Sequence, residues 1–142
     1  MTEPLTAFDA DVLIYAATID HPLGRKVLTL LATDDVENGP VGVGSVLLLA
    51  EVLAKPMRAD PGSAETAALI SVLSRLELHP LDEATARLAL ALAATYGLRA
   101  ADAAHLATAV ASGAERFLTN NRRDFPKTIT EIDILYPADL AG

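Results

Sequence analysis

Short apolar runs alternate along the chain with longer stretches whose apolar residues recur at three- and four-residue spacing. Leu5 to Phe8 is the first run and predicts a strand, with Asp9 at its carboxyl end. Val12 to Ala16 follows as a short helix or turn, and Leu23 to Ala32 as a helix opened by His21-Pro22. Asp34 to Pro40 has the composition of a loop, and Val41 to Val43 that of a short buried strand. Ser45 suits the N-cap of a helix running through Glu51 towards Lys55, with Pro56 bending or ending it. After the turn Asp60-Pro61-Gly62, Ser63 caps a helix to about Arg75, and Leu76 to Leu81 alternates as a strand. Asp82 caps a helix that reaches Tyr96, with Gly97 as its stop. A further helix covers Asp102 to Ala111 and ends at Gly113. Arg116 to Thr119 and Ile132 to Leu135 read as the closing strands.

Strands alternating with helices in this way predict an α/β domain built on a mainly parallel sheet. The 142 residues contain no internal repeat and no linker long enough to divide them, so a single domain over residues 1–142 is expected. A hydrophobic fraction of 51% is that of a chain that folds. With 4% aromatics and no Trp, alanine and leucine must fill the core, and binding by stacking bases on rings is weakly supported. The absence of cysteine excludes disulfides, thiolate zinc sites and cysteine nucleophiles, and fits a reducing compartment. The N-terminus carries Glu3 and no basic start before an apolar stretch, which does not read as a signal peptide. Its longest apolar runs fall far short of the roughly 20 residues a membrane span needs. A soluble, cytoplasmic protein is expected.

The candidate chemistry lies in carboxylates set inside apolar segments. Asp9 ends the first strand, Glu51 sits in Ser45-Val46-Leu47-Leu48-Leu49-Ala50-Glu51, and Asp102 opens an alanine-rich helix. Asp124 closes Thr119-Asn120-Asn121-Arg122-Arg123-Asp124 after a strand. Carboxylates are costly to bury unless paired or bound to metal. In a parallel sheet the carboxyl ends of strands form the ligand-binding edge, so distant motifs can meet there. Oxygen donors alone suit Mg²⁺ or Mn²⁺ better than zinc. Such a cation can activate water and neutralise phosphate charge during phosphodiester hydrolysis.

Each residue also has an ordinary reading. Asp9 fits a helix N-cap as well as a ligand, Glu51 an exposed helical residue, Asp102 a helix-start residue and Asp124 a turn residue. Asp11 either joins Asp9 on one side of the site or caps and is solvated. Arg122 and Arg123 either contact phosphate at the mouth of the site or belong to a solvated loop. His105, one turn after Asp102, lies beside the site or simply packs. The combination is what favours a metal centre. The net charge of −8 argues against a nucleic-acid surface that works by charge alone. It leaves room for a nuclease in which bound cations and a local arginine cluster attract phosphate.

The order of these motifs resembles that of PIN domains, in particular VapC-type toxins of toxin–antitoxin pairs. Asp9-Ala10-Asp11-Val12-Leu13-Ile14-Tyr15, Ser45 to Leu53, Leu98 to Ala109 and Phe117 to Phe125 are similar, in order, to the four family motifs. The resemblance implies a three-layer α/β/α domain that uses Mg²⁺ or Mn²⁺ to cut RNA. It carries the metal carboxylates to Asp9, Glu51 and Asp102, and gives Thr119 a supporting hydroxyl. Many relatives have aspartate where this chain has Asn121, so either Asn121 or Asp124 serves the fourth position. The family likeness also implies a homodimer, a cognate antitoxin as partner, and no membrane. Two rivals stay open: a metal-dependent nuclease or phosphatase acting on another phosphoester, and a PIN-like binding module without turnover.

Overall fold

The computed structural model describes residues 4–32 and 40–141. In chain order it consists of β1 (Thr6–Phe8), α1 (Ala10–Ala17), α2 (Pro22–Leu31), β2 (Gly42–Ser45), α3 (Leu48–Ala59), α4 (Ala64–Leu73), β3 (Leu76–His79), α5 (Glu83–Tyr96), α6 (Ala100–Ala111), β4 (Arg116–Leu118) and β5 (Asp133–Leu135). A single 3₁₀ turn at Pro137–Asp139 follows. Apart from Pro40, the loop expected at Asp34 to Pro40 lies outside the described residues.

The five strands form one sheet in the order β3-β2-β1-β4-β5, and every pairing is parallel. Side chains alternate across it as the pleat requires. Ala7 and Phe117 face a core shared with Leu92 of α5 and Leu106 of α6. Phe8 and Leu118 face the opposite core, built with Leu13 of α1, Val27 of α2, Val52 of α3 and Leu69 of α4. The fold is therefore a three-layer α/β/α domain, as expected.

Local chemistry explains the element ends. Asp82 accepts the Thr85 N–H at 2.8 Å to open α5, and Gly97 closes it at φ 68°. Ser63 caps α4 by accepting the Thr66 N–H. At His21, Nδ1 accepts the N–H groups of Leu23 and Gly24 and so caps α2, with Pro22 in its first turn. Gly24 is needed for close packing, since a Cβ there would lie 2.0 Å from the carbonyl oxygen of Tyr15 in α1.

Two expectations are corrected, and of the two roles expected for Pro56 the ending of the helix is excluded. Ser45 does not cap a helix: it ends β2, pairs with His79, and accepts the Leu47 N–H at 3.1 Å. The ladder continues past it, because the Val46 N–H donates to the His79 carbonyl. As a result α3 begins at Leu48, and Glu51 lies in its first turn. Pro56 is buried within α3 without ending it, and the helix runs on to Ala59. The short β2 contains two glycines because its neighbours approach closely. A Cβ at Gly42 would meet the Phe8 ring at 2.4 Å, and one at Gly44 would meet Leu48 at 2.5 Å.

Candidate metal centre

The strand order has a switch point between β1 and β4. From β1 the chain proceeds outward through β2 and β3, then returns to place β4 on the other side of β1. Adjacent crossovers leave a crevice at the carboxyl ends of such strands. The register Phe8↔Leu118 sets Asp9 beside Thr119 at this crevice.

Asp9 is 6% exposed. One carboxylate oxygen accepts the Ala10 N–H at 2.8 Å, which makes Asp9 the N-cap of α1. The other accepts the Thr119 hydroxyl at 2.7 Å. Thr119 is itself fully buried, and its oxygen also accepts the Asn121 N–H at 3.1 Å. The helix-cap reading of Asp9 and its place in the acidic cluster are thus both realised. Burial raises its pKa above the ordinary carboxylate value, and the nearby Glu51 charge adds to this. Hydrogen bonds from Thr119 and Ala10 oppose it.

Asp102 occupies the first turn of α6, whose N-cap is Arg99. Its pKa is raised as well, first by desolvation and then by the charges of Asp9, Asp124 and Glu51. Glu51 reaches in from the start of α3, half-exposed, with an oxygen 3.1 Å from Nε2 of His105. Three helices, α1, α3 and α6, thus aim their N-terminal turns at one acidic cluster, where helix dipoles favour anions.

The Thr119 to Asp124 segment supplies the outer wall. Asn121 donates from its side-chain amide to Asp124 at 2.9 Å and accepts the Asp124 N–H at 3.3 Å. This two-way clasp holds the Asp124 carboxylate within electrostatic range of Asp102. Asp11 is engaged differently. Its oxygens accept the N–H groups of Val12 at 2.7 Å and Asn120 at 3.0 Å, tying α1 to the loop after β4. Burial, aided by the Asp9 charge, pushes its pKa up to about 6. Asn120 then donates to the Tyr15 hydroxyl, and the Tyr15 ring stacks on His21 at 4.2 Å.

Arg122 and Arg123 are both exposed at the rim. Arg122 lies over the Tyr136 ring at 4.4 Å, and Lys127, paired with Asp139, flanks the same ring at 5.1 Å. His105 is where sequence reasoning gave least weight to what the structure brings to the cluster. It is 2% exposed, and its charge would act on both Asp9 and Asp102.

The donor set fits a hard cation in its chemistry: carboxylate oxygens, with no lysine or arginine paired to Asp9, Asp11, Asp102 or Asp124 among the described residues. Among those residues no group of three or more Asp, Glu or His side chains closes into a ready-made cage.

Comparisons with known proteins agree with the fold. The PIN domain family profile matches residues 7–129. No curated protein matches at a significant level. A toxin–antitoxin complex from Klebsiella pneumoniae is similar in fold at 22% identity, covering 94% of this chain and 97% of that one, with a TM-score of 0.69. VapBC2 from Rickettsia felis, bound to a DNA fragment from its promoter, is similar at 20% identity over 93% and 98% of the two chains, TM-score 0.71. FitAB bound to the IR36 DNA fragment is similar at 18% identity over 97% and 99%, TM-score 0.69.

Proposed function

Because the chain belongs to the PIN domain family, we propose that it is a divalent-metal-dependent endoribonuclease, the toxin of a toxin–antitoxin pair acting in the cytoplasm. The observation that carries this reading is the uncompensated acidic cluster at the β1/β4 switch point, with the pKa values of Asp9 and Asp102 raised partly by neighbouring carboxylates. Such a cluster is unfavourable until a cation joins it.

Asp9, Asp102 and Glu51 hold Mg²⁺ or Mn²⁺ in this reading, and Asp124 supplies the fourth carboxylate. Both polar ends of the Asn121 amide are committed to Asp124, so Asn121 braces that residue rather than binding the ion. Thr119 fixes the Asp9 carboxylate through its hydroxyl, and Asp11 locks the loop that carries Thr119. When bound, the cation lowers the pKa of water and offsets phosphate charge. Arg123 contacts the phosphate chain, and Arg122 lines its path from the Tyr136 face.

A cognate antitoxin and a second copy of the chain are the protein partners of this proposal. The toxin–antitoxin assembly to which the fold is similar supports the former. None of the described helices is long and apolar enough to cross a membrane. A binding module without turnover is the competing reading, and Asn121, in place of the aspartate that many relatives carry, favours it.

Cleavage of a mixed RNA pool by the purified chain, with Mn²⁺ or with EDTA and beside Asp9→Asn, decides between them. Cutting that needs both the metal and Asp9 is the expected result. No cutting alongside a folded protein that binds no Mn²⁺ would leave the binding module, and metal-independent cutting would overturn the role of the ion while keeping a nuclease.

A further inference from the structure

His105 is the one described side chain at the cluster whose polar atoms find no aligned partner. Its ring is 1% exposed, and neither Nδ1 nor Nε2 makes a hydrogen bond of good geometry. Nε2 nevertheless lies 3.1 Å from a Glu51 oxygen, close enough to bond but off the axis of a ring N–H. Buried polar atoms left unpaired are uncommon and need a reason.

The chemistry of the pair fixes the hydrogen. If Nε2 were bare, its lone pair would face a carboxylate oxygen at 3.1 Å, and Nδ1 would bury a donor with no acceptor. With the hydrogen on Nε2, the pair is attractive and only an acceptor is left unmet at Nδ1. Glu51 is half-exposed at the start of α3 and, His105 apart, makes no described hydrogen bond or ion pair through its side chain. Its carboxylate therefore has a single anchor, and that anchor comes from α6, the helix that also carries Asp102.

We propose that His105 is a positioning residue: its Nε2–H orients the Glu51 carboxylate towards the ion bound by Asp9 and Asp102. With an ion held there, the geometry in which this contact is aligned would be favoured, since hydrogen bonds at such sites are often misaligned in the unloaded state. Hydrogen-bonding partners of metal-holding carboxylates typically change metal affinity or activity roughly 10–100-fold when removed. The metal arm of this proposal rests on the nuclease reading; the tautomer of His105 does not.

The test uses the full chain and two readouts. Nitrogen-15 NMR of the histidine side chains, at fixed pH in EDTA, should find the Nε2–H tautomer at His105. Its Nε2–H resonance should move in Glu51→Gln, where the acceptor loses its charge. Calorimetric Mn²⁺ titration should show a 10–100-fold weaker Kd in His105→Leu and a largely restored one in His105→Gln, whose amide also donates. Adding His105→Leu to Glu51→Gln should cause no further loss, since both act through one carboxylate. An Nδ1–H tautomer, an unmoved resonance, equal losses in the Leu and Gln variants, or losses that multiply in the double variant would each overturn the proposal. If wild type binds no Mn²⁺, the nuclease reading falls, while the tautomer and its response to Glu51→Gln still decide the role of His105. Should His105→Leu fail to fold, the Gln variant and the wild-type tautomer carry the test.

Discussion

Thr119→Val isolates one hydroxyl that serves two partners. The side chain is fully buried, and valine nearly matches its shape. The substitution removes the donor to Asp9 at 2.7 Å and the acceptor of the Asn121 N–H at 3.1 Å. A hydrogen bond to a charged group contributes about 1.5–3 kcal/mol, and a backbone donor left buried and unpaired costs about 1–3 kcal/mol. The variant should therefore lose about 3–4 kcal/mol at neutral pH, a large share of the roughly 5–15 kcal/mol that holds a domain folded. Protonation of Asp9 caps the loss, since a neutral carboxyl needs the donor less. Thr119→Ser keeps the hydroxyl and should lose only about 1 kcal/mol for its missing methyl.

The pH dependence gives the sign. Burial already holds the folded-state pKa of Asp9 above its ordinary value of 3.8, and removing Thr119 raises it further. The gap between wild type and Thr119→Val should narrow as pH falls through the range above 3.8, because the bond lost is then no longer charge-assisted. Urea unfolding followed by circular dichroism, in EDTA at several pH values, measures this directly. A Thr119→Val variant as stable as Thr119→Ser at neutral pH would refute the argument that Thr119 supports a charged Asp9.

Asp11 gives a second pH effect: its folded pKa of about 6 stands above the ordinary 3.8, so its contribution is favourable in acid and is lost as pH rises between those values. Discounted for partial exposure, that is about 2 kcal/mol of stability lost from the metal-free protein, and Asp11→Asn should flatten the urea midpoint over that window. Asp102→Asn should leave metal-free stability unchanged or about 1 kcal/mol higher, since it relieves repulsion with Asp9 and Asp124, while RNA cleavage falls by at least about 100-fold; a loss of both together would mark Asp102 as structural. Gly24→Ala should cost about 2–3 kcal/mol in urea, because the atom a Cβ would meet at 2.0 Å is backbone and cannot swing away.

What could be read from the sequence follows from how local each signal is. Asp82 and Gly97 bound α5 as expected, because a cap and a left-handed stop are set by residues within one turn. The acidic motifs stood out for a similar reason: carboxylates inside apolar runs are conspicuous without any knowledge of the fold. Ser45 misled because serine before an apolar stretch looks like a cap, whereas its place was decided by pairing with His79 across the sheet. The clasp between Asn121 and Asp124 needed loop geometry that composition does not contain. His105 was obscured by its own helix. α6 carries alanine on every side, so no amphipathic pattern shows which face meets the sheet, and the burial of His105 appears only once that face is known.

The acidic balance of the chain and the cation of the proposed function are one property seen twice. A net charge of −8 acts at a distance, but exposed charges more than about 8–10 Å apart are largely screened at physiological ionic strength. A phosphate chain therefore responds to the rim and to the cluster. At the rim Lys127 is neutralised by Asp139 and Arg122 is held on Tyr136, which leaves Arg123 in the loop after β4 with no ion pair among the described residues. These two arginines cannot offset Asp9, Glu51, Asp102 and Asp124 facing the same crevice. In the proposed reading, the crevice without a cation repels phosphate, and with one the same carboxylates would draw phosphate to the β1/β4 switch point of an acidic surface.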